Sequence, residues 1–314
     1  MGRELAVTLL ERAGGVARMA VAGDDSAERG TLVILPGRAE FIEKYAEAAA
    51  DFCERGFAVA VVEWHGQGLS RRWALLPERG FVTDYADYLD DLASALEHLA
   101  SIRAPRPWIL LGHSMGGHIG LRWLHDAAAS FDAAVMTAPM FGIPLAAIPE
   151  PTARFLGRMA VRLGAGRRYA PGQRDFMIER CLYERNPLTS SPARFEAYRD
   201  LLHARPELAV GGATWGWLDA TLRSIAVTRA PGYLEHIPTP ILLCVAGEDR
   251  VIANRSIVQF AGRLPHATLR LFPGARHELL IERDDIRREV LAAIDAFIAA
   301  VAAPARTRAP VPPP

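Results

Sequence analysis

A five-residue turn, Gly112-His113-Ser114-Met115-Gly116, constrains the fold of this chain more than any other feature. An apolar run typical of a buried strand, residues 108–111, precedes the turn, and residues 117–124 follow it with the apolar spacing of a helix. This order of strand, G-x-S-x-G and helix predicts a tight turn that lifts the Ser114 hydroxyl above the edge of a sheet. The outer glycines fit that turn because a side chain at either position would collide with the neighbouring strand or helix.

Strand and helix patterns alternate on both sides of this turn. A hairpin is predicted over residues 4–22, joined at Gly14-Gly15. Further buried strands are predicted at 31–35, 58–62, 133–137, 241–245 and 268–272, and helices at 41–55, 84–100 and 284–301. Strands that alternate with helices of this length form parallel sheets covered on both faces. The sequence therefore predicts an α/β fold with a mostly parallel, doubly wound sheet.

The alternation stops at about residue 140. From Phe141 to about Leu234 there is no buried-strand run, and helical and loop patterns punctuated by prolines replace it. We expect residues 1–140 and 235–302 to form the core, and residues 141–234 to form an inserted helical cap over the carboxyl edge of the sheet. Residues 303–314 are rich in proline and alanine and predict a disordered tail.

Charge and cysteine content exclude several classes of function. Lys+Arg and Asp+Glu both number 36, so no net field favours nucleic acid, and we expect no nucleic-acid partner. Three scattered cysteines argue against a disulfide framework and a zinc site, and we expect neither metal nor cofactor. The chain start lacks the apolar run of a signal peptide, and no apolar segment is long enough to span a bilayer. These features predict a cytoplasmic protein, with peripheral contact at the inner membrane face left open.

Two later strand ends carry the partners that a reactive serine needs. A serine hydroxyl becomes a good nucleophile when a base takes its proton and an acid orients that base, and after this type of turn the chain order is Ser, Asp or Glu, then His. Asp249 follows the strand that ends at Val245, and His277 follows the strand that ends at Phe272. We therefore predict Ser114, Asp249 and His277 as the catalytic residues, with Glu248 as an alternative acid.

Two backbone N–H groups are candidates for holding a tetrahedral oxyanion. The first belongs to Met115, directly after the serine. The second is expected in the loop after the first central strand, where Pro36-Gly37-Arg38 stands. We predict that the N–H groups of Arg38 and Met115 form the oxyanion hole.

Together these residues resemble the α/β-hydrolase superfamily, and within it the lysophospholipase and monoacylglycerol lipase group, with the bacterial lysophospholipases as the best match. The resemblance covers about residues 30–300. It is carried by the segments 36–45, 63–70, 112–117, 185–189 and 210–217. One departure occurs in the second of these, where Glu63 stands in place of the usual aspartate of the turn Asp-x-x-Gly-x-Gly-x-Ser.

The resemblance implies an α/β-hydrolase fold and a serine hydrolase that cleaves the carboxylic ester of a single-chain lipid, most simply a lysophospholipid. It also implies the triad Ser114, Asp249 and His277, and the oxyanion hole of Arg38 and Met115. Monoacylglycerol lipase and general carboxylesterase remain alternatives because one fold and one triad serve many acyl substrates. A ligand-binding protein without catalysis is a further alternative.

The predicted cap holds the candidate substrate-binding residues. Arg154 and Arg158 fall four residues apart on one face of a predicted helix, where they could meet a phosphate headgroup or an anionic membrane surface. Trp215, Trp217 and Phe141 are candidates for lining an acyl pocket under the cap. A solvated arginine face and ordinary core packing of the aromatic residues are the alternatives.

Overall fold

A computed structural model describes residues 5–12, 15–23, 27–72, 75–145 and 148–302, so the predicted tail and part of the predicted hairpin turn lie outside the described residues. The strands are β1 (Ala6–Arg12), β2 (Gly15–Ala22), β3 (Thr31–Leu35), β4 (Ala58–Glu63), β5 (Trp108–His113), β6 (Ala133–Thr137), β7 (Ile241–Ala246) and β8 (Ala267–Phe272). The α-helices are α1 (Ala46–Glu54), α2 (Ala86–Ser101), α3 (Met115–Asp126), α4 (Glu150–Arg162), α5 (Pro192–Ala204), α6 (Trp215–Thr228), α7 (Asn254–Ala261) and α8 (Asp284–Ala302).

The eight strands form one sheet in the order β1-β2-β4-β3-β5-β6-β7-β8. β2 pairs antiparallel with β1 and β4, whereas every pairing from β4 through β8 is parallel. Parallel strands end at a common edge, so the loops after β3, β5, β7 and β8 meet there. This edge carries each residue predicted for the triad and the oxyanion hole.

Helices cover both faces of this sheet, as the alternating pattern predicts. Val33 and Leu35 of β3 pack in a cluster with residues of α2, α3 and α7. Leu32 and Ile34, which point the other way, pack in a cluster with residues of α1 and α8. All five residues of β3 are buried, as expected of a strand covered on both faces. The prediction of an α/β-hydrolase fold with a mostly parallel, doubly wound sheet is confirmed.

The chain between β6 and β7 is helical. It holds α4, α5 and α6, and in its described part the one β-type pairing is an isolated bridge between Tyr169 and Thr214. Thr214 caps α6 by accepting a hydrogen bond from the N–H of Trp217, and its hydroxyl donates to the carbonyl of Gly80 at 3.1 Å. This contact fastens the start of α6 to the loop between β4 and α2. None of the described helices combines the length and apolarity needed to cross a membrane.

Glu63, the departure from the family pattern, organises the turn after β4. Its fully buried carboxylate accepts hydrogen bonds from the N–H groups of Leu69 at 2.8 Å and Ser70 at 2.7 Å, and forms a salt bridge with Arg18 at 3.1 Å. A β-carbon at Gly68 would lie 2.0 Å from Glu63 Oε2. The glycine therefore makes room for a longer acid.

Candidate active site

Ser114 occupies a strained turn between β5 and α3. Its φ of +50° and ψ of −114° lie where a residue with a side chain is rarely found. A β-carbon at Gly116 would lie 1.9 Å from the carbonyl oxygen of Leu35, and one at Gly112 would lie 2.7 Å from the α-carbon of Gly117. The two outer glycines of the turn are therefore sterically required where α3 crosses the sheet.

The structure brings the three predicted catalytic side chains together. His277 Nε2 lies 3.0 Å from Ser114 Oγ, and His277 Nδ1 lies 2.7 Å from Asp249 Oδ2. The other carboxylate oxygen of Asp249 accepts from the N–H groups of Val251 at 2.8 Å and Ile252 at 3.1 Å. A base within reach of a serine, itself oriented by an acid, is the geometry that nucleophilic catalysis uses.

The acid in contact with His277 is Asp249, whereas the alternative, Glu248, is exposed. Burial acts to raise the pKa of Asp249, but the hydrogen bond to His277, the charge of that ring and two backbone N–H groups outweigh burial. The pKa of Asp249 therefore lies below its ordinary value, so the carboxylate is ionised at neutral pH. An ionised acid at Nδ1 holds the imidazole with Nε2 free to accept a proton from the serine.

The two predicted oxyanion donors lie beside the serine at the ends of neighbouring elements. Met115 is the first residue of α3, so its N–H is one of the unpaired donors of a helix N-terminus. Arg38 follows β3, which pairs with β5 on the sheet. Neither N–H forms a hydrogen bond with another described residue. Gly37, next to Arg38, donates its N–H to Glu40 Oε2, which holds this loop in place.

A buried ionic cluster lies behind the serine and was not predicted from the sequence. Lys44 Nζ lies 2.6 Å from Glu40 Oε1 and 2.6 Å from Glu278 Oε1. Tyr45 donates its hydroxyl to Glu40 Oε2 at 2.7 Å. The cluster joins the loop after β3 to the loop that carries His277. Its two acids lie 238 positions apart in the chain, so no local pattern could have indicated the contact.

Burial acts to raise the pKa of both acids of this cluster, but the two acids differ in how far their partners offset it. Burial acts to raise the pKa of Glu40, but the charges of Lys44 and His113 and two hydrogen bonds outweigh it and bring the pKa to about 2. Burial raises the pKa of Glu278 above its ordinary value, and Lys44 only partly offsets this. The charges of both carboxylates outweigh burial and keep the pKa of Lys44 above its ordinary value, so the lysine stays charged between them.

His113 supports the site without serving as its base. Burial lowers the pKa of His113 to about 4, so the ring is neutral at pH 7, and its Nδ1 lies 3.1 Å from the carbonyl oxygen of Thr137. Donor atoms of His113, Glu40 and Glu278 lie within 4.8 Å of one another, a spacing that a metal ion could use. Lys44 already bonds to both carboxylates there, and we assign no metal to the cluster.

A cavity of about 700 Å³ opens above the triad. Trp215 and Trp217 belong to its wall, together with Ser114 and His277. Ten more wall residues are apolar and come from the segment after β6, from α4 and α6, and from the loop after β7: Met140, Ile143, Pro144, Leu145, Ile148, Ala153, Leu156, Leu218, Val251 and Ile252. An apolar slot with a few polar groups at one end suits a ligand with one acyl chain.

Three residues predicted for substrate binding are absent from this wall. Phe141 is fully buried and stacks on Phe260 with ring centroids 4.4 Å apart, so it belongs to the core. Arg158 is exposed and Arg154 is half-buried, and α4 contributes Ala153 and Leu156 to the cavity instead. Helical spacing indicated that the arginines share a face but could not indicate which face points inward.

Comparison with known proteins agrees with the fold and with a carboxylic ester hydrolase. A family model described as "Serine aminopeptidase, S33" matches residues 26–284. Lysophospholipase L2 of Escherichia coli K12 is 35% identical over 287 residues, which cover 85% of this chain and 79% of that protein. The probable lysophospholipase L2 of Haemophilus influenzae is 30% identical over 274 residues, covering 87% of this chain and 85% of that protein.

A solved structure shares the fold at lower sequence identity. The monoglyceride lipase of Saccharomyces cerevisiae, determined as a soluble variant with a substrate analogue, superposes with a TM-score of 0.74 and 16% identity. That match covers 95% of this chain and 97% of the lipase. The chain therefore belongs to the serine aminopeptidase S33 family of α/β-hydrolases, in the group that holds lysophospholipases and monoacylglycerol lipases.

Proposed function

We propose that the protein is a serine hydrolase that cleaves the carboxylic ester of a lysophospholipid through an acyl-enzyme on Ser114. The observation that carries the proposal is the contact of Ser114 Oγ with His277 Nε2 at 3.0 Å, at the floor of a cavity with an apolar wall. Relatives at 30% and 35% identity that are named as lysophospholipases support the substrate class.

The proposed reaction has two chemical steps. His277 takes the proton of Ser114 as the oxygen attacks the ester carbonyl, and Asp249 stabilises the imidazolium that forms. The N–H groups of Arg38 and Met115 hold the developing oxyanion. His277 then gives its proton to the leaving glyceryl oxygen, and water repeats the sequence on the acyl-enzyme to release a fatty acid. No cofactor takes part in either step.

The helical insertion, for which we propose the boundaries 141–234, forms the apolar part of the substrate site in this account. Its tryptophans and aliphatic side chains line the cavity, so the acyl chain lies beneath it while the ester reaches Ser114. Burial of an alkyl chain contributes about 0.8 kcal/mol per methylene. A single chain of moderate length would therefore supply most of the binding free energy.

We propose further that α4 contacts a membrane surface. Large apolar side chains of this helix are exposed, with 64% of Phe155 and 38% of Val161 accessible to solvent, and Leu163, just beyond its end, is 78% exposed. Arg154, Arg158 and Arg162 lie on the same helix. Basic and apolar side chains together favour an anionic lipid surface. In this proposal the protein is cytoplasmic and takes substrate at the inner membrane face.

Fatty-acid release by the purified protein tests the proposal. Lysophosphatidylcholine, lysophosphatidylethanolamine, monoacylglycerol and a short nitrophenyl ester are compared, with Ser114→Ala as the control. We expect the two lysophospholipids to give the highest kcat/KM and the variant to be inactive. A preference for monoacylglycerol or the short ester would identify a lipase or general esterase instead. Failure of a fluorophosphonate probe to label Ser114 would favour a ligand-binding protein.

A further inference from the structure

Arg38 carries a cation without an anionic partner at the wall of the active-site cavity. Its Nη2 donates to the carbonyl oxygen of Gly211 at 2.6 Å, and its guanidinium carbon lies 5.1 Å from the ring centroid of Trp217. Its Nε is buried and has no hydrogen-bond partner. No carboxylate of the described residues lies within salt-bridge distance of this guanidinium. Burial lowers the pKa of Arg38, as expected of a desolvated cation.

The other cation of the cavity wall differs in this respect. Lys44 is half-buried, as Arg38 is, but two carboxylates lie 2.6 Å from its ammonium group. A buried charge is costly unless a counter-charge meets it, and Lys44 has two such partners while Arg38 has a carbonyl oxygen and an aromatic ring. A ligand that completes the surroundings of Arg38 would therefore be an anion.

Arg38 also lies between two cavities. It belongs to the wall of the active-site cavity and to the wall of a second, more open cavity of about 350 Å³. Arg174 and Arg180 line the second cavity, which makes it basic, and its one acidic residue, Asp175, accepts a hydrogen bond from Tyr169. The second cavity thus forms a basic entrance beside an apolar slot, with Arg38 at the junction.

We propose that the guanidinium of Arg38 binds the phosphate of the leaving group, so that a lysophospholipid lies with its acyl chain in the apolar cavity and its headgroup in the basic entrance. This inference rests on the proposed function and makes one residue contact both the acyl carbonyl and the leaving group. The backbone N–H of Arg38 meets the oxyanion, and its side chain meets the phosphate. A guanidinium suits this task because its N–H groups match phosphate oxygens two at a time.

The distance from ester to phosphate in the substrate and the reach of the Arg38 side chain agree with this arrangement. In a 1-acyl lysophospholipid six bonds separate the carbonyl carbon from the phosphorus, an extended length of about 7 Å at about 1.2 Å of advance per bond. Five bonds separate the α-carbon of arginine from its guanidinium carbon, a length of about 6 Å by the same measure. A phosphate therefore comes within reach of the Arg38 side chain when the carbonyl reaches the Arg38 backbone. Monoacylglycerol has no group to place there.

Substrate preference in variants tests the inference. The kcat/KM of hexanoyl lysophosphatidylcholine is divided by that of monohexanoylglycerol, both below micelle-forming concentrations, for wild type, Arg38→Met and Arg38→Lys. We expect Arg38→Met to lower this ratio about 10- to 100-fold, the value of one charge-assisted contact, and Arg38→Lys to lower it less. Equal losses on both substrates would overturn the inference, since they would mean that the guanidinium only holds Gly211 in place.

Arg72 supplies a matched control. Its guanidinium, like that of Arg38, bonds to cap carbonyls, with 2.8 Å to Ala209 and 2.9 Å to Leu208, but it lines neither cavity. We expect Arg72→Met to leave the ratio at its wild-type value, whatever it does to stability. A ratio that falls as far in Arg72→Met as in Arg38→Met would assign the effect to loosening of the cap and contradict the inference.

Inhibition separates this inference from the proposed function. The inhibition constants of hexyl-ether lysophosphatidylcholine, hexylglycerol and inorganic phosphate are measured against nitrophenyl ester hydrolysis. The inference predicts that the ether phospholipid binds more tightly than hexylglycerol, and that Arg38→Met removes the difference even if no lysophospholipid is hydrolysed. Inorganic phosphate as potent as the ether phospholipid would indicate a site for free anions and overturn the headgroup assignment.

Discussion

Replacement of Asp249 by asparagine should disable the catalytic base while keeping its position. Asp249 Oδ1 accepts two backbone N–H groups, so the amide oxygen of the variant must stay there and its NH₂ must face His277 Nδ1. An NH₂ group can only donate, which forces the proton of the neutral ring onto Nε2. A protonated Nε2 cannot accept the proton of Ser114, so the acyl transfer loses its base.

The structure sets the size of the loss. To restore the active tautomer the amide must flip, which leaves the N–H groups of Val251 and Ile252 facing another donor. Two buried donors without acceptors cost about 2–3 kcal/mol each, or about 4–6 kcal/mol together. This corresponds to about 10³- to 10⁴-fold in kcat. The same substitution in another serine hydrolase triad costs about 10⁴-fold.

Initial rates on a short nitrophenyl ester at pH 7 measure this effect, with urea unfolding as a check that Asp249→Asn still folds cooperatively. Glu248→Gln is the matched control, since Glu248 is exposed beside Asp249 and we expect wild-type activity from it. Retention of more than a tenth of wild-type kcat in Asp249→Asn would refute the reasoning. A large loss in Glu248→Gln would identify Glu248 as the acid instead.

Three further predictions concern stability, each measured by urea unfolding. Gly116→Ala should destabilise the fold by about 3 kcal/mol, because the new β-carbon would overlap a backbone carbonyl. Gly157→Ala in α4 is the control: its β-carbon would meet ordinary contacts at 3.5 Å or more, so the free energy of unfolding should not fall. Glu63→Ala should cost about 3–5 kcal/mol, because it removes one of the two carboxylate partners of the buried Arg18 and the acceptor of three backbone N–H groups, those of Ile42, Leu69 and Ser70. In the folded protein the pKa of Glu40 is about 2, below its ordinary 4.5. The ionised carboxylate therefore stabilises the fold fully above pH 4.5, and this stabilisation is lost as pH falls towards 2. The difference in unfolding free energy between wild type and Glu40→Gln should narrow over that range.

The parts of the site that could be predicted are those fixed by local sequence. The turn at Ser114 has its strand, glycines and helix within 17 residues, and the structure keeps each of them. Asp249 and His277 were predicted because parallel strands end at one edge, so a residue just after such a strand lies near the others. The order of elements along the chain is enough to place both residues at that edge.

The parts of the site that could not be predicted depend on which face of a helix points inward, or on contacts between residues far apart in the sequence. The arginines of α4 share a helix face, but the packing of α4 against α6 decides that Ala153 and Leu156 face the cavity. Phe141 begins the proposed insertion, yet its ring stacks in the core on Phe260 of α7. The sequence also marked Arg38 only as a backbone donor, since nothing local shows that its side chain lacks an acid partner.

Detection of the acyl-enzyme tests the central claim most directly. Purified protein is mixed with an equimolar amount of lysophosphatidylcholine, quenched in acid within milliseconds, and digested for mass spectrometry. The account predicts a transient peptide that contains Ser114 and is heavier by one acyl group, and the absence of this peptide and of fatty-acid release in Ser114→Ala. Steady fatty-acid release with no acylated Ser114 peptide, or continued release by pure Ser114→Ala, would contradict it.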